Sequence, residues 1–124
     1  MMGNPFQKYL GKEDHLQHDV MQYLKAQYAG TLAIHVPNEG KRSPFVQYKF
    51  KYLGGMPGIP DVIVFKQTPS YAGLAIELKV APNKPTKNQL EFLDLLSDSG
   101  WYATWVNSFD QAKNIIDQYF QNDL

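Results

Sequence analysis

The hydrophobic positions of the chain form three patterns with helical spacing. The first repeats about once per turn and comprises Leu16, Val20, Leu24 and Tyr28. It predicts a helix from Lys12 to Tyr28, and Gly30 follows it as a stop signal. Leucines at similar spacing predict a second helix from Thr86 to Leu96, and a third pattern predicts a helix from Phe109 to Phe120.

Four shorter runs are rich in β-branched and aromatic residues, as is typical of strands. They are Thr31–Val36, Val62–Phe65, Gly73–Val80 and Trp101–Val106. The connection between the second and third runs is short, so these two strands could form a hairpin. With the helices, the order is α-β-(α)-β-β-α-β-α, which predicts an α/β fold with a mixed β-sheet flanked by helices. No repeat or linker interrupts it, so we predict a single domain over residues 1–124.

The segment from Ser43 to Gly55 carries conflicting signals. Its aromatic and polar residues alternate as in a strand, but its ends favour a helix, with Ser43 as N-cap, Pro44 at the first position and Gly54 as C-cap. We therefore interpret it as a helix. Its aromatic rings and the interleaved lysines could stack on bases and contact phosphates, and they suit a core or a dimer interface equally well. These side chains are Tyr48, Lys49, Phe50, Lys51 and Tyr52.

Composition and charge narrow the class of protein. The 124 residues are 44% hydrophobic and 19% charged, as expected of a globular protein, and the absence of cysteine excludes disulfides and thiolate zinc sites. There is no apolar run of about 20 residues and no signal-peptide pattern, so we expect a cytoplasmic protein without a membrane segment. The net charge of zero argues weakly against a polyanionic partner. However, residues 1–90 carry +5 and residues 91–124 carry −5, so the first part could form a basic surface.

The third strand and the start of the second carry the candidate chemistry. Glu77 and Lys79 project from the same face, and a hairpin would bring Asp61 beside Glu77. Two carboxylates at a strand end suggest Mg²⁺ or Mn²⁺, which favour oxygen ligands. The simpler alternative is a charge pair on the solvated face of an edge strand, with Asp61 capping a turn.

Polar residues on two helices point to the same place. Glu13 and Gln17 continue the apolar line of the first helix, so Glu13 needs a nearby cation unless it is only a favourable acid in the first turn. Gln89 stands one turn before the leucines of its helix, so its amide should face the sheet, although a helix-end hydrogen bond is an alternative. His15 and His18 lie three residues apart, and we interpret them as surface residues rather than zinc ligands.

These residues resemble a known family. Gly58-Ile59-Pro60-Asp61, followed sixteen residues after the aspartate by Glu77-Leu78-Lys79, resembles the PD-(D/E)XK nuclease signature. The subtype resembles the VRR-NUC domain, especially the stand-alone form of phages and bacteria. Further similarities lie in the first helix at Glu13–Gln17, in the loop with His35–Gly40 and Arg42, and in Thr86–Gln89.

The resemblance implies a restriction-endonuclease-like core and a metal-dependent, structure-selective DNA endonuclease, acting as a homodimer on branched DNA such as Holliday junctions. Glu13, Asp61, Glu77 and the backbone carbonyl of Leu78 would bind one or two Mg²⁺ or Mn²⁺ ions, and no organic cofactor is expected. Lys79 would orient or deprotonate the attacking water, and Gln89 would support the site. The protein would then act in a bacterial cell or a phage-infected host.

A basic rim around the site would contact DNA. Its candidate residues are Gln17, Asn38, Lys41, Arg42, Lys49, Lys51, Lys84 and Lys87. Two alternatives remain at this stage: a catalytically silent nucleic-acid-binding module with the same fold, and a small α/β protein in which the Glu77–Lys79 pair is structural.

Overall fold

The computed structural model describes residues 3–37 and 43–124. Its helices are α1 (Lys12–Gln27), α2 (Pro44–Tyr52), α3 (Lys87–Asp98) and α4 (Phe109–Phe120), and its strands are β1 (Ala33–His35), β2 (Val62–Val64), β3 (Leu74–Leu78) and β4 (Tyr102–Val106). The α/β fold and the predicted order of elements are confirmed. A 3₁₀ helix at Pro5–Tyr9, which the sequence patterns did not predict, precedes α1.

The four strands form one mixed sheet in the order β1-β2-β3-β4. β1 and β2 are antiparallel, and β2 and β3 form the expected antiparallel hairpin with Val62 opposite Ile76. β3 and β4 are parallel, with α3 as the connection between them. Such a crossover helix is the usual connection between neighbouring parallel strands.

β3 lies inside the sheet, so the alternative of an edge strand with a solvated face is wrong. All five of its residues are buried. Leu74, Ile76 and Leu78 belong to the core cluster that α1 and α4 cover, and α3 contacts the other face, where Glu77 lies. Because helices cover both faces, even the polar side of β3 is excluded from water.

The observed burial of residues in α2 and α3 differs in part from what their sequence patterns predicted. α2 begins as interpreted, since the Ser43 hydroxyl accepts a hydrogen bond from the Val46 amide at 3.3 Å, and Gly54 has a φ of +92°. Within the described part of the chain none of its residues is buried, so the core interpretation of its aromatic rings is wrong. In α3, Leu90 is exposed although it belongs to the apolar pattern, because the neighbouring Gln89 occupies the inward position. In the described ranges, no helix has the length and apolar character to cross a bilayer.

A carboxylate holds α1 against α4. The Asp117 carboxylate accepts hydrogen bonds from Tyr23 at 2.5 Å and Tyr28 at 2.6 Å, and Lys113 pairs with it at 3.1 Å. Partial burial would raise the pKa of Asp117, but the hydrogen bonds from both tyrosines and from Lys113 outweigh it and lower that pKa. Asp117 therefore links the C-terminal helix to both the end of α1 and the residue that follows it.

We expect Asp117→Ala to lower the free energy of unfolding by about 1–2 kcal/mol, because three hydrogen bonds to an ionised group are lost at a partly exposed position. Urea denaturation monitored by circular dichroism measures this change. Asp94→Ala on α3 is the matched control, since Asp94 is exposed, and it should change stability by less than about 0.5 kcal/mol. Equal effects of the two substitutions would contradict a stabilising role of the Asp117 contacts.

Candidate metal centre

The hairpin brings two acids together at one end of the sheet. Because Val62 lies opposite Ile76, the preceding residue, Asp61, is level with Glu77. The Asp61 carboxylate accepts a hydrogen bond from the backbone N–H of Leu78 at 2.8 Å. Asp61 is only 6% exposed and Glu77 only 1%. The structure therefore places two buried carboxylates side by side, as the hairpin prediction required.

Gln89 connects the Glu77 carboxyl to the N-terminus of α3. Its side-chain oxygen accepts from the Thr86 backbone N–H at 2.8 Å, and the Thr86 hydroxyl accepts from the Gln89 backbone N–H at 3.3 Å, which forms a capping box. The remaining end of the amide, Nε2, donates to Glu77 Oε1 at 3.2 Å. One side chain thus caps the helix and orients the carboxyl, and the amide faces the sheet as predicted.

Gly58 fixes the turn that leads to Asp61. Its φ is +93°, a conformation that disfavours residues with a side chain, and an added Cβ would lie 2.6 Å from the backbone carbonyl of Asn88. The turn therefore packs directly on the first residues of α3. This contact joins the two elements that carry Asp61 and Gln89.

Lys79 is the cation of the site. Its ammonium lies 3.7 Å from Glu77 Oε1, and its side chain is only 12% exposed. The Lys79 backbone N–H donates to the Val106 carbonyl at 2.9 Å, which keeps this part of the chain beside β4. Alternation along the strand therefore puts the ammonium and the Glu77 carboxyl on one side, as the sequence indicated.

The Glu77 carboxyl is strongly perturbed. Burial, followed by the negative charge of Asp61 and hydrogen bonding with it, raises the pKa of Glu77 to about 9, although Lys79 opposes the shift. Its Oε2 atom is buried and has no hydrogen-bond partner in residues 3–37 and 43–124. Without a further positive charge, this rise in pKa favours the protonated form of the carboxyl.

Glu13 faces the same site from α1. It is half-buried, and burial raises its pKa, against the attraction of Lys79 and together with the repulsion of Asp61. Leu16, Val20 and Leu24 behind it are buried, as the helical pattern predicted. Glu13 therefore lies within electrostatic reach of Asp61 and Lys79, and it is also an acid in the first turn of α1.

The donor set fits a hard cation. Across the described ranges, no three histidine, aspartate or glutamate side chains lie close enough to form a metal site from protein ligands alone. Mg²⁺ commonly binds to one or two carboxylates and completes its shell with water and phosphate oxygens. The pair of Asp61 and Glu77, with an unsatisfied oxygen on Glu77, suits this mode of binding and does not suit zinc, which takes three or four protein ligands.

The candidate DNA contacts are distributed over several segments. Lys84 and Lys87 are exposed in the stretch between Lys79 and Gln89, and Lys87 pairs with Glu91 at 3.8 Å. Lys49 and Lys51 are exposed on α2, and Gln17 is half-buried on α1. The remaining three candidates, Asn38, Lys41 and Arg42, lie outside the described residues.

His35 belongs to the site, although sequence analysis gave it no role of its own. Its Nδ1 lies 3.1 Å from the backbone carbonyl of Asp61, and it is paired with Val62 across the β1–β2 ladder. With Nδ1 protonated, the ring donates to that carbonyl and holds the backbone of Asp61. The available signal was its position at the end of a strand, but only the strand register shows which residue it meets.

Comparisons with known proteins agree with this architecture. A family model for the VRR-NUC domain matches residues 11–110. A solved structure named "VRR_NUC domain protein" has a TM-score of 0.75 and 28% sequence identity, with 90% of each chain covered. Another, named "VRR_NUC domain", has a TM-score of 0.60 and 22% identity over 89% of this chain and 99% of that chain. No curated protein matches the sequence.

The raised pKa of Glu77 predicts how stability depends on pH in the presence of a chelator. A carboxyl with a pKa of about 9 when folded and about 4.5 when unfolded binds its proton more tightly in the folded state. Its contribution is therefore most favourable below about pH 4.5 and is lost as pH rises towards 9, by at most about 1.4 kcal/mol per pH unit. Glu77→Gln should remove this dependence, so the variant should gain stability relative to wild type between pH 6 and 8.5.

Urea denaturation at several pH values in EDTA measures the effect. Glu91→Gln is the control, because the Glu91 side chain is 58% exposed on α3 and has no comparable burial. Its stability should follow the pH profile of the wild type. Parallel profiles for wild type and Glu77→Gln would show that the Glu77 carboxyl is ionised without cost in the folded protein.

Proposed function

The chain belongs to the VRR-NUC family and has its nuclease-type fold, and from this premise we propose that it is a metal-dependent DNA endonuclease that hydrolyses phosphodiester bonds in branched DNA such as four-way junctions. The single observation that carries the proposal is the buried pair of Asp61 and Glu77 beside the Lys79 ammonium. A polar cluster of this kind inside a covered sheet costs stability, so a function is the better explanation for it.

Asp61, Glu77 and the backbone carbonyl of Leu78 would bind Mg²⁺ or Mn²⁺. Glu13 would act on the cation from α1 through its charge, because no third acid of the described residues lies close enough to form a three-acid metal site. Support comes from the unpartnered Oε2 atom and the raised pKa of Glu77, because a cation would take the place of the proton that this carboxyl otherwise retains. When bound, such a cation makes a coordinated water more acidic and offsets negative charge on the phosphate.

Lys79 and Gln89 would act beside the acids in different ways. The Lys79 ammonium can donate hydrogen bonds to a water and to a phosphate oxygen, so we assign it the orientation of the attacking water and the partial neutralisation of the phosphate. Gln89 makes its contact with the Glu77 carboxyl and with the helix N-terminus. We therefore assign Gln89 the positioning of the carboxyl and not a step of the reaction.

We expect the protein to cut a labelled four-way junction in Mg²⁺ or Mn²⁺, and chelator to abolish cutting. Asp61→Asn and Glu77→Gln should lower the rate by more than about 100-fold, since each removes a metal ligand. Gln89→Ala should lower it by about 10–100-fold, as is typical when the partner of a ligand is removed. Glu91→Gln should cut at the wild-type rate.

The rates are measured under single-turnover conditions on the junction and on a linear duplex of the same sequence. Undiminished cutting by Asp61→Asn, or cutting in EDTA, would overturn the assigned site. Junction binding without any cutting would favour a silent binding module. Equal rates on both substrates would overturn the preference for branched DNA while leaving the nuclease assignment intact.

We also propose that the protein acts as a homodimer in which α2 supplies the contact. Phe45, Tyr48 and Tyr52 on this helix are 70%, 64% and 76% exposed, and Leu53 and Met56 extend the patch. An apolar surface of this kind is typical of an interaction site. Two centres related by a twofold axis would suit paired cuts in a symmetric junction.

Light scattering across a range of concentrations should give twice the chain mass of 14.2 kDa. Tyr48→Ser with Tyr52→Ser should give a monomer, whereas Leu90→Ser on α3, which removes a similarly exposed apolar side chain, should remain dimeric. A monomeric wild type would overturn the proposal. If the wild type were a monomer and the double variant Tyr48→Ser, Tyr52→Ser bound DNA more weakly, α2 would instead be an element that stacks on bases.

A further inference from the structure

A cleft of about 550 Å³ lies beside the candidate metal centre. Residues 14–25 of α1 form one wall of the cleft. Gln7 of the 3₁₀ helix and Leu10, which follows that helix, form the other wall, and His35 of β1 lies at one side. Leu10 and Met21 give the cleft an apolar part, and the lining side chains that can donate hydrogen bonds are Gln7, His15, Gln17, His18, Gln22, Lys25 and His35. The proposed nuclease chemistry gives a role to Gln17 and His35 but not to the other donor side chains of this cleft.

The chemistry of the cleft points to an anionic ligand with several acceptor oxygens. All three histidines of the chain line it, and Lys25 adds a positive charge. Its one acid, Asp14, uses its carboxylate to accept a hydrogen bond from the Gly11 backbone at 2.9 Å. The histidines belong to no group in the described residues that could hold a metal ion. Lysine, imidazole and amide donors together are typical of phosphate contacts.

The cleft and the candidate metal centre are neighbours. His35 lies 3.1 Å from the Asp61 carbonyl, and Gln17 stands one turn after Glu13 on α1. From His15 to Lys25 the helix rises by about 15 Å, so the donors form a track that leads away from the acids. A strand bound in this track would therefore lead away from the candidate metal centre.

We propose that this cleft binds the sugar-phosphate backbone of one unpaired DNA strand next to the cleavage position. The inference rests on the proposed nuclease function and adds that, within the branched substrate, the strand that is cut is unpaired beside the cleavage position. A cleft of this volume has the size of a small-ligand pocket and cannot contain a duplex, whose major groove alone is about 12 Å wide. Donors that follow one backbone are the usual means of binding a single strand.

The histidines provide a readout that does not depend on cleavage. The chain has three of them, so its three imidazole Hε1 signals in an NMR spectrum all report on the cleft. Titration with a 5′-phosphorylated thymidine trinucleotide in EDTA should shift all three signals. Inorganic phosphate at the same concentration should shift them several-fold less. Unchanged signals, or an equal response to inorganic phosphate, would overturn the assignment of a strand site.

A charge-removing variant tests the contact with the substrate. His18→Gln with Lys25→Gln should weaken binding of junction DNA with a single-stranded arm by about fivefold to tenfold and lower the salt slope by about 1, while Mn²⁺ affinity stays unchanged. Lys66→Gln is the matched control, because Lys66 is exposed and follows β2 at the end opposite Asp61. DNA binding is measured by fluorescence anisotropy in EDTA. Mn²⁺ affinity is measured separately, by titration without chelator.

The outcomes separate this inference from the proposed function. The cleft assignment would be overturned if the double variant bound DNA with the affinity and salt slope of the wild type. If Glu77→Gln still abolished cleavage in that case, the proposed nuclease function would be unaffected. A wild type that never cuts DNA but whose histidine signals respond to the trinucleotide would support the strand site and overturn the nuclease.

Discussion

The burial of the Glu77 carboxyl within the central strand is the constraint to which the surrounding elements respond. An ionisable group that is 1% exposed needs partners, and Lys79 just after β3 and Gln89 of α3 provide them, whereas Asp61 just before β2 adds a like charge. These contacts do not satisfy the whole carboxyl group. Oε2 of Glu77 has no hydrogen-bond partner within the described ranges, and the pKa of Glu77 rises to about 9. The proposed cation would relieve this strain on the carboxyl, because it would take the place of the proton.

The backbone around this carboxyl is fixed by contacts that use no charge. The hairpin register aligns Asp61 with Glu77, and the missing side chain of Gly58 lets the preceding turn touch the backbone of α3. The capping box orients the Gln89 amide so that its nitrogen, and not its oxygen, meets the carboxyl. Local rules for turns and helix ends thereby set the geometry of the centre, which is why short motifs in the sequence were informative.

Those motifs made much of the fold and part of the site predictable. Helix caps and apolar spacing predicted four helices and four strands in the right order, and alternation along β3 placed Glu77 and Lys79 together. The pattern of a single segment could not show that β3 is covered on both faces, that Leu90 is exposed, or that His35 contacts the Asp61 backbone. Each of these facts depends on residues distant in sequence, such as the pairing of β1 with β2, which no single pattern encodes.

Helix α1 shows how stability and function share one element. Its buried stripe of Leu16, Val20 and Leu24 packs in the core, and Tyr23 joins it to Asp117 of α4. The position of Glu13 relative to Asp61 and Lys79 is therefore set by core packing and by a hydrogen bond near the far end of the same helix. The residues of α1 that line the proposed strand cleft, among them His18, lie on the same helix and are positioned by the same core packing and hydrogen bond. A helix anchored in this way holds Glu13 and the cleft in one spatial relation, as the proposed alignment of a DNA strand with the acids would require.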